Sequence, residues 1–195
     1  MRVLEVGDNV VRALADTSSP QGVVAVATMP AFRMADLGDT ADLVLVLAQV
    51  RDPGNAGTLV RSAAAAGVDC VCFAEGSVDP FGPKTVRASA GAVLRTPVDR
   101  GSPVASTITA LRDRGFAIVA AEADAETTLY DVDLVGATAV VLGNEAWGLS
   151  SEVDFDSAAS IPMEASVESL NVATAGSVLL FEAVRQRRLS SAPHG

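Results

Sequence analysis

The sequence predicts an α/β protein with a mainly parallel sheet and helices on both faces of that sheet. Short apolar runs alternate along the chain with helix-like segments, which is the order produced by repeated strand–helix–strand units. These runs are continuously apolar, as expected for strands that are buried on both faces. Hydrophobic residues make up 49% of the chain but aromatic residues only 4%, so valine, leucine and alanine must fill the core.

The predicted elements follow one another from residue 43 onward. The first strand covers residues 43–50, and the helix at 56–66 follows a turn at Asp52-Pro53-Gly54. Gly67 ends this helix, because glycine readily adopts the left-handed conformation of a helix C-cap. Further strands are predicted at residues 69–74, 93–97, 116–121, 139–142 and 158–162. Further helices are predicted at residues 85–90, 103–114 (capped by Ser102 and ended by Gly115), 151–155 and from about 170 to the arginines at 185–188.

Residues 1–40 contain too few predicted helices and strands to form a domain of their own. They contain a predicted short helix at 10–14, a turn at 16–20 and a strand at 22–27. Residues 29–42 read as a linker, because they hold proline, glycine and three aspartates. We therefore divide the chain into residues 1–40, a main domain at 41–190 and a tail at 191–195.

The net charge of −10 argues against a broad basic surface of the kind that binds nucleic acid. It does not exclude a local basic patch. Thirteen of the fourteen basic residues are arginines, which make bidentate contacts to phosphate. No apolar run is long enough to span a bilayer and no signal-peptide pattern opens the chain, so we expect a soluble cytoplasmic protein.

A metal site is not expected. Cys70 and Cys72 alternate within an apolar strand, and their spacing fits neither a redox motif nor a zinc pair. We expect them to be buried free thiols in a reducing compartment. The only histidine, His194, lies in the tail, away from any cluster of metal-ligating residues.

Three of the predicted strands run directly into polar loops. The first loop reads DPGNAGTLVRSA over residues 52–63, the second LGNEAWGL over 142–149, and the third IPMEASVESLNV over 161–172. One such loop alone would be a weak signal, but three in this order and spacing are a specific one. We expect these distant loops to converge into one pocket.

The three loops resemble the signature motifs of the SpoU/TrmH-like RNA ribose methyltransferases of the SPOUT superfamily, over about residues 41–190. The resemblance implies a C-terminal deep trefoil knot, an exception to the general absence of knots in proteins. It also implies a homodimer, S-adenosyl-L-methionine as cofactor, and methyl transfer to a ribose 2′-hydroxyl of RNA. Ribosomal RNA is the expected substrate, with transfer RNA as the alternative. Residues 1–40 would then be the remnant of an N-terminal RNA-binding domain and its linker.

The resemblance also assigns residues to the site. The cofactor-binding residues that it implies are Leu142, Gly143, Ile161, Met163 and Leu170. The catalytic residues that it implies are Arg61, Asn55, Glu145, Ser169 and Asn171. Purely structural roles are also open for three of these residues. Gly143 suits a tight turn. Ser169 and Asn171 suit the N-cap of the last helix.

Arg61 is the residue on which the chemistry depends. It lies between Val60 and an alanine-rich run, so we expect it to be buried and paired, with Glu145 as the candidate partner. The family commonly assigns this arginine as general base. A guanidinium stays protonated near pH 7, so holding a phosphate and stabilising a developing alkoxide is the better role.

Two other classes of function stay open from the sequence. One is a catalytically silent, knotted module for RNA binding or dimerisation, which the acidic charge favours. The other is a nucleotide-binding enzyme unrelated to RNA, although the first strand lacks a G-x-G-x-x-G fingerprint. Binding of S-adenosyl-homocysteine would separate the methyltransferases from both.

Overall fold

Six strands and five α-helices form the regular structure of residues 2–15, 17, 19–144, 148–149, 153–164 and 166–191, the part of the chain that a computed structural model describes. The strands are β1 (Leu43–Leu47), β2 (Cys70–Phe73), β3 (Val98–Arg100), β4 (Ala117–Ala121), β5 (Thr138–Leu142) and β6 (Ser157–Ala159). The helices are α1 (Asp8–Leu14), α2 (Pro53–Ala66), α3 (Pro83–Ala88), α4 (Val104–Arg112) and α5 (Val172–Ser190). None of these helices has the length and hydropathy that crossing a bilayer needs.

The strands form a single sheet in the order β3-β2-β1-β5-β4-β6, and their pairings are all parallel. Side chains alternate between its two faces. Leu45 and Leu47 of β1 pack in a core with α2 and α5, whereas Val44 and Val46 pack on the other face with α4. Helices on both faces of a parallel sheet confirm the predicted fold class.

Helix α2 is fixed at both ends by its sequence. The carboxylate of Asp52 accepts a hydrogen bond of 2.7 Å from the backbone N–H of Asn55, and Pro53 occupies the first turn, where it loses no hydrogen bond. Gly67 ends the helix at a φ of 77°, as predicted. Residues 53–63 of the first polar loop are part of this helix, which begins six residues after the end of β1.

Several predicted elements were wrong. No strand forms at residues 22–27, where Val23 and Val26 are 83% and 102% exposed, because an extended segment needs a partner strand and this one has none among the described residues. Ala92–Leu94 is a 3₁₀ turn, so the strand predicted at 93–97 begins only at Val98. The hydroxyl of Thr96 holds that turn by donating to the carbonyl of Ala92 at 3.0 Å.

Other boundaries shift for local reasons. Ser102 does not cap α4; its hydroxyl donates to Asp99 instead, at 3.4 Å, and Pro103 takes the capping position. The first strand stops at Leu47 rather than at residue 50, because Gln49 has a φ of 64°. Of the helix predicted at 151–155, residues 153–155 are irregular and 151–152 lie outside the described residues.

The C-terminal half of α5 is held to the rest of the fold by a buried polar group. Glu182 is 7% exposed and accepts two hydrogen bonds of 2.7 Å from Arg185 and one of 3.0 Å from Gln186. Gln186 in turn accepts a hydrogen bond from the backbone N–H of Leu134 and donates to the carbonyl of Val132. The hydrogen bonds from Arg185 hold the pKa of Glu182 below its ordinary value, against the opposite effect of burial.

We expect Glu182→Gln to lower the free energy of unfolding at pH 7 by about 1–2 kcal/mol, since the amide cannot form the charged hydrogen bonds. A lowered pKa stabilises the fold above the ordinary value of 4.5, and this stability is lost as the pH falls through the folded-state pKa. The deficit of the variant should therefore shrink at pH 3 in urea unfolding. Glu75→Gln, at an exposed residue, is the control; a deficit that does not depend on pH would contradict this account.

Candidate active site

A cavity of ≈ 720 Å³ opens at the carboxyl ends of the central strands. Its size lies within the range of about 300–1,000 Å³ that is typical of small-molecule sites. The residues that line it follow or end four of the parallel strands: Asn55 after β1, Ala121 to Asp124 after β4, Leu142 to Asn144 after β5, and Ala159, Ile161 and Met163 after β6. Ligands of open α/β sheets bind at this edge of the sheet.

Hydrogen bonds join the three polar loops at this cavity. The side-chain amide of Asn171 donates to the side-chain oxygen of Asn55 at 2.9 Å, which links the third loop to the first. The oxygen of Asn171 also caps α5 by accepting from Ala173 and Thr174. The side-chain amide of Asn144 donates to the carbonyl of Gln49 at 3.1 Å, which links the second loop to the segment between β1 and the first loop. The expected convergence of the loops is confirmed.

Gly143 lies where two stretches of backbone cross. A Cβ at this position would be 2.3 Å from the carbonyl carbon of Gly148 and 2.6 Å from the nitrogen of Leu149. The crossing is fixed by a pair of hydrogen bonds between the backbones of Asn144 and Gly148, at 2.8 and 2.9 Å. Only glycine allows this close approach.

Eight of the ten residues that the sequence predicted for the site line the cavity. From the cofactor-binding set they are Leu142, Gly143, Ile161, Met163 and Leu170, and from the catalytic set Asn55, Ser169 and Asn171. Glu145 lies outside the described residues. Arg61 does not line the cavity, and the roles of all ten in binding and catalysis stay predictions.

The lining fits the cofactor that the sequence implies. Leu142, Leu170, Val172 and Leu179 give apolar walls of the kind that the faces of an adenine ring contact. Leu142 is 1% exposed and forms the floor, whereas Leu170 is 36% exposed at the rim. Gly143 also lines the cavity, where its backbone peptide groups can pair with the edge of a ring.

The expectation that Arg61 is buried was wrong. Arg61 is exposed, and among the described residues it makes neither a hydrogen bond nor an ion pair. The reason is helical periodicity, since the buried face of α2 is centred on Ala56, Leu59 and Val60, and Arg61 lies at the edge of that face, one turn after Gly57. Asn55 lines the cavity from the first turn of the same helix, about 9 Å along the axis from Arg61.

Sequence reasoning missed two acidic residues at the cavity. Glu122 and Asp124 line it directly after β4. The only available signal was their place after a buried strand, at the edge of the sheet where ligands bind. Residues 122–126, EADAE, belong to none of the three motifs and lie between the first and the second of them in the sequence.

The two cysteines are buried and free, as predicted, and their sulfurs lie 3.8 Å apart. The contact with Cys70, together with burial, raises the pKa of the Cys72 thiol, which keeps it protonated and unreactive. Among the described residues, no group of three or more histidine, cysteine, aspartate or glutamate side chains is arranged to hold a metal ion.

Comparison with known proteins identifies relatives over most of the chain. A model of the SpoU rRNA methylase family matches residues 42–181. An uncharacterised tRNA/rRNA methyltransferase of Synechocystis sp. is 38% identical over 190 residues, which are 96% of this chain and 69% of the relative. The 23S rRNA (guanosine-2′-O-)-methyltransferase RlmB of Xylella fastidiosa is 42% identical over 178 residues, which are 87% of this chain and 72% of the relative.

A solved structure shares the fold as well. The AdoMet-bound rRNA methyltransferase of Sinorhizobium meliloti superimposes with a TM-score of 0.86 at 31% identity, over 92% of this chain and 70% of that one. The family match spans the three polar loops up to the first half of α5. The likeness therefore covers the cavity and the elements that carry it.

Proposed function

Because the chain belongs to the SpoU rRNA methylase family, we propose that it transfers a methyl group from S-adenosyl-L-methionine to a ribose 2′-hydroxyl of RNA, with ribosomal RNA as substrate. A relative that is 42% identical is named as a 23S rRNA guanosine-2′-O-methyltransferase, and this supports the choice of RNA. A structural neighbour with a TM-score of 0.86 is AdoMet-bound, and this supports the choice of cofactor.

The observation that carries the proposal is the meeting of the three loops. Asn55, Gly143 and Asn171 come from loops that are far apart in sequence, yet all three line one cavity. The 2.9 Å hydrogen bond between Asn171 and Asn55 places polar groups of two loops beside the backbone of the third. Such preorganisation suits a transfer that depends mainly on the alignment of two reactants.

The cavity residues divide into two roles. Leu142, Leu170 and Ile161 hold the apolar faces of the cofactor, and the backbone near Gly143 holds the edge of its adenine ring. When bound, the cofactor supplies a methyl group that its positively charged sulfur already activates. Asn55 and Asn171 then orient the acceptor ribose so that its 2′-oxygen is in line with that methyl group.

We propose that Arg61 acts from a second copy of the chain. Arg61 does not line the cavity of its own chain, and it is exposed with no partner among the described residues. A homodimer could bring this arginine to the neighbouring cavity, where it would hold the phosphate next to the target ribose and stabilise the developing alkoxide. Phe181 and Leu189 of α5 are 49% and 59% exposed, which supports an interface on this helix.

The remaining parts of the proposal concern organisation. We propose that the C-terminal motifs form the deep trefoil knot, supported by the family match and by the tight crossing at Gly143. Residues 41–190 are the proposed methyltransferase domain, residues 1–40 the proposed remnant of an RNA-binding domain with its linker, and residues 191–195 a tail. We also propose a cytoplasmic location, since RNA substrates and the cofactor meet there.

A local basic surface supports RNA binding on this acidic protein. Residues 80–98 contain Lys84, Arg87 and Arg95 and no acidic residue. Lys84 and Arg87 of α3 line an open cavity of ≈ 520 Å³ against the first loop, beside Asp52 and Gly54. This cavity and the proposed active site therefore share the first loop, which reaches the larger cavity through Asn55.

The packing of α2 and α3 extends this surface to Arg61. A Cβ at Gly57 would be 2.5 Å from the Cβ of Ala88, so the two helices are in close contact. Arg61 is one turn after Gly57, and long side chains of a helix lean toward its N-terminus. Arg61 therefore shares a side of the molecule with Lys84 and Arg87, which suits a tract of RNA phosphates.

We expect the double variant Lys84→Gln, Arg87→Gln to bind ribosomal RNA fragments more weakly. The slope of log affinity against log salt should fall by about 0.7–0.9 for each lost phosphate contact. Fluorescence anisotropy over a salt series measures this, with Arg114→Gln as the matched control, since Arg114 is exposed after α4 on the other face of the sheet. The affinity for S-adenosyl-homocysteine should not change. An unaltered salt slope in the double variant would reject this surface.

The proposed function is tested by mapping ribose 2′-O-methylation in total RNA from cells with and without the gene. We expect one or a few ribosomal positions to lose methylation when the gene is absent and to regain it on complementation. Loss confined to transfer RNA would move the substrate to that class. An unchanged map, together with no binding of S-adenosyl-homocysteine by the purified protein, would contradict the methyltransferase assignment.

A further inference from the structure

We propose that Glu122, with a smaller contribution from Asp124, makes the cavity prefer S-adenosyl-L-methionine over its product S-adenosyl-homocysteine. The inference rests on the proposed function and adds residues that the three motifs do not contain. Its basis is a charged side chain that faces the cavity and has no hydrogen-bond or ion-pair partner in the part of the chain that the structure describes. Its consequence is that the cavity binds the product S-adenosyl-homocysteine more weakly than S-adenosyl-L-methionine, so methyl transfer favours release of the product.

Glu122 is held at the cavity by its backbone. Its N–H donates to the carbonyl of Ala159 at 3.2 Å, and its carbonyl accepts from Ala125 at 3.3 Å. Its carboxylate oxygens lie 3.6 and 4.0 Å from the position that a Cβ on Gly148 would occupy. The carboxylate is therefore beside the crossing that closes against Gly143, in the lining of the proposed cofactor site.

The carboxylates of Glu122 and Asp124 are uncompensated. Among the described residues, neither side chain makes a hydrogen bond or an ion pair, and no lysine, arginine or histidine lines the cavity. Some carboxylates elsewhere in the fold do form ion pairs, such as Asp156 with Arg112 at 2.9 Å and Glu182 with Arg185 at 2.7 Å. A half-buried carboxylate without a partner favours a cationic ligand.

The reaction changes the charge of the ligand in this cavity. S-adenosyl-L-methionine carries a positive sulfonium, a positive amino group and a negative carboxylate. On transfer, a bond forms between the ribose oxygen and the methyl carbon, and the carbon–sulfur bond breaks with its electron pair left on sulfur. The hydroxyl proton leaves to solvent. The product thus has a neutral sulfur and one positive charge less, so a nearby carboxylate attracts it less.

We expect Glu122→Gln to weaken binding of S-adenosyl-L-methionine by about 3- to 10-fold, the size expected for a partly solvated charge pair. Binding of S-adenosyl-homocysteine should change by less than about twofold. Asp124→Asn should act in the same direction but less, because Asp124 is more exposed. Isothermal titration calorimetry with each ligand gives both constants without requiring turnover.

Glu126→Gln is the matched control, since it makes the same change in the same loop away from the cavity lining. The Glu122 side chain makes no hydrogen bond or ion pair with the residues that the structure describes. The Glu122→Gln variant should therefore keep the unfolding temperature of the unmodified chain. Equal weakening of both ligands, or no weakening of either, would overturn the inference while leaving the proposed function intact. If the unmodified chain binds neither ligand, the proposed function fails first and the inference with it.

Discussion

Gly143→Ala is expected to lower the affinity for both S-adenosyl-L-methionine and S-adenosyl-homocysteine by about 10- to 100-fold, the range that overpacking a tight site produces. The added methyl group would lie 2.3 Å from the carbonyl carbon and 2.4 Å from the carbonyl oxygen of Gly148. These are backbone atoms, so the second loop must move to make room. That movement would break the hydrogen bonds between Asn144 and Gly148 that shape the cavity edge.

Gly136→Ala separates this effect from a general loss of stability. Gly136 lies two residues before β5, and a Cβ there would have no atom within 4 Å. Calorimetry with S-adenosyl-homocysteine and thermal unfolding should be measured on both variants. A Gly143→Ala protein that is folded and binds with unchanged affinity would show that the cofactor does not lie against this crossing.

Arg61→Lys is expected to lower kcat for methyl transfer by about 100-fold, as for the loss of one oriented donor to a developing oxyanion. Lysine keeps the positive charge but cannot make the planar, two-pronged contact of a guanidinium. Because the proposed contacts of Arg61 are to the RNA and not to the cofactor, the affinity for the cofactor should stay unchanged. A near-normal rate in a methyl-transfer assay with ribosomal RNA would reject this role for Arg61.

Mixed dimers test whether Arg61 serves the neighbouring chain. Refolding the Arg61→Lys and Gly143→Ala variants together should form mixed dimers, and one of their two sites has both residues intact only if Gly143 and Arg61 of a site come from different chains. If these two residues come from different chains at each site, activity should recover to about a quarter of the unmodified level. If they come from the same chain, the mixture should stay as inactive as the separate variants.

The fold could be predicted where sequence and packing agree. The apolar run at β1 and the capped helix α2 carry their own start and stop signals, from Asp52 to Gly67. The strand predicted at 22–27 failed because a strand also requires a pairing partner, which local sequence does not specify. The displacement of the strand near residue 97 arose from Ala92–Leu94, an apolar segment that forms a 3₁₀ turn rather than a strand.

The site was predictable mainly where backbone geometry restricts the residue type. Gly143 is required by a backbone crossing, and Asn171 both caps a helix and bonds to Asn55, so their loops are distinctive in sequence. Glu122 was not predicted because its place in the cavity depends on the order of the strands in the sheet, which brings the end of β4 beside β5. The exposure of Arg61 was missed because alanine neighbours suggested packing, whereas helix periodicity decides which face is buried.

The most direct test of the account is transfer of a labelled methyl group from S-adenosyl-L-methionine to ribosomal RNA by the purified protein, followed by digestion to nucleosides. We predict that the label appears in a 2′-O-methylated nucleoside, and that it disappears when the target ribose is replaced by its 2′-deoxy form. Label found on a base, or no transfer to RNA by a protein that binds the cofactor, would contradict the central claim.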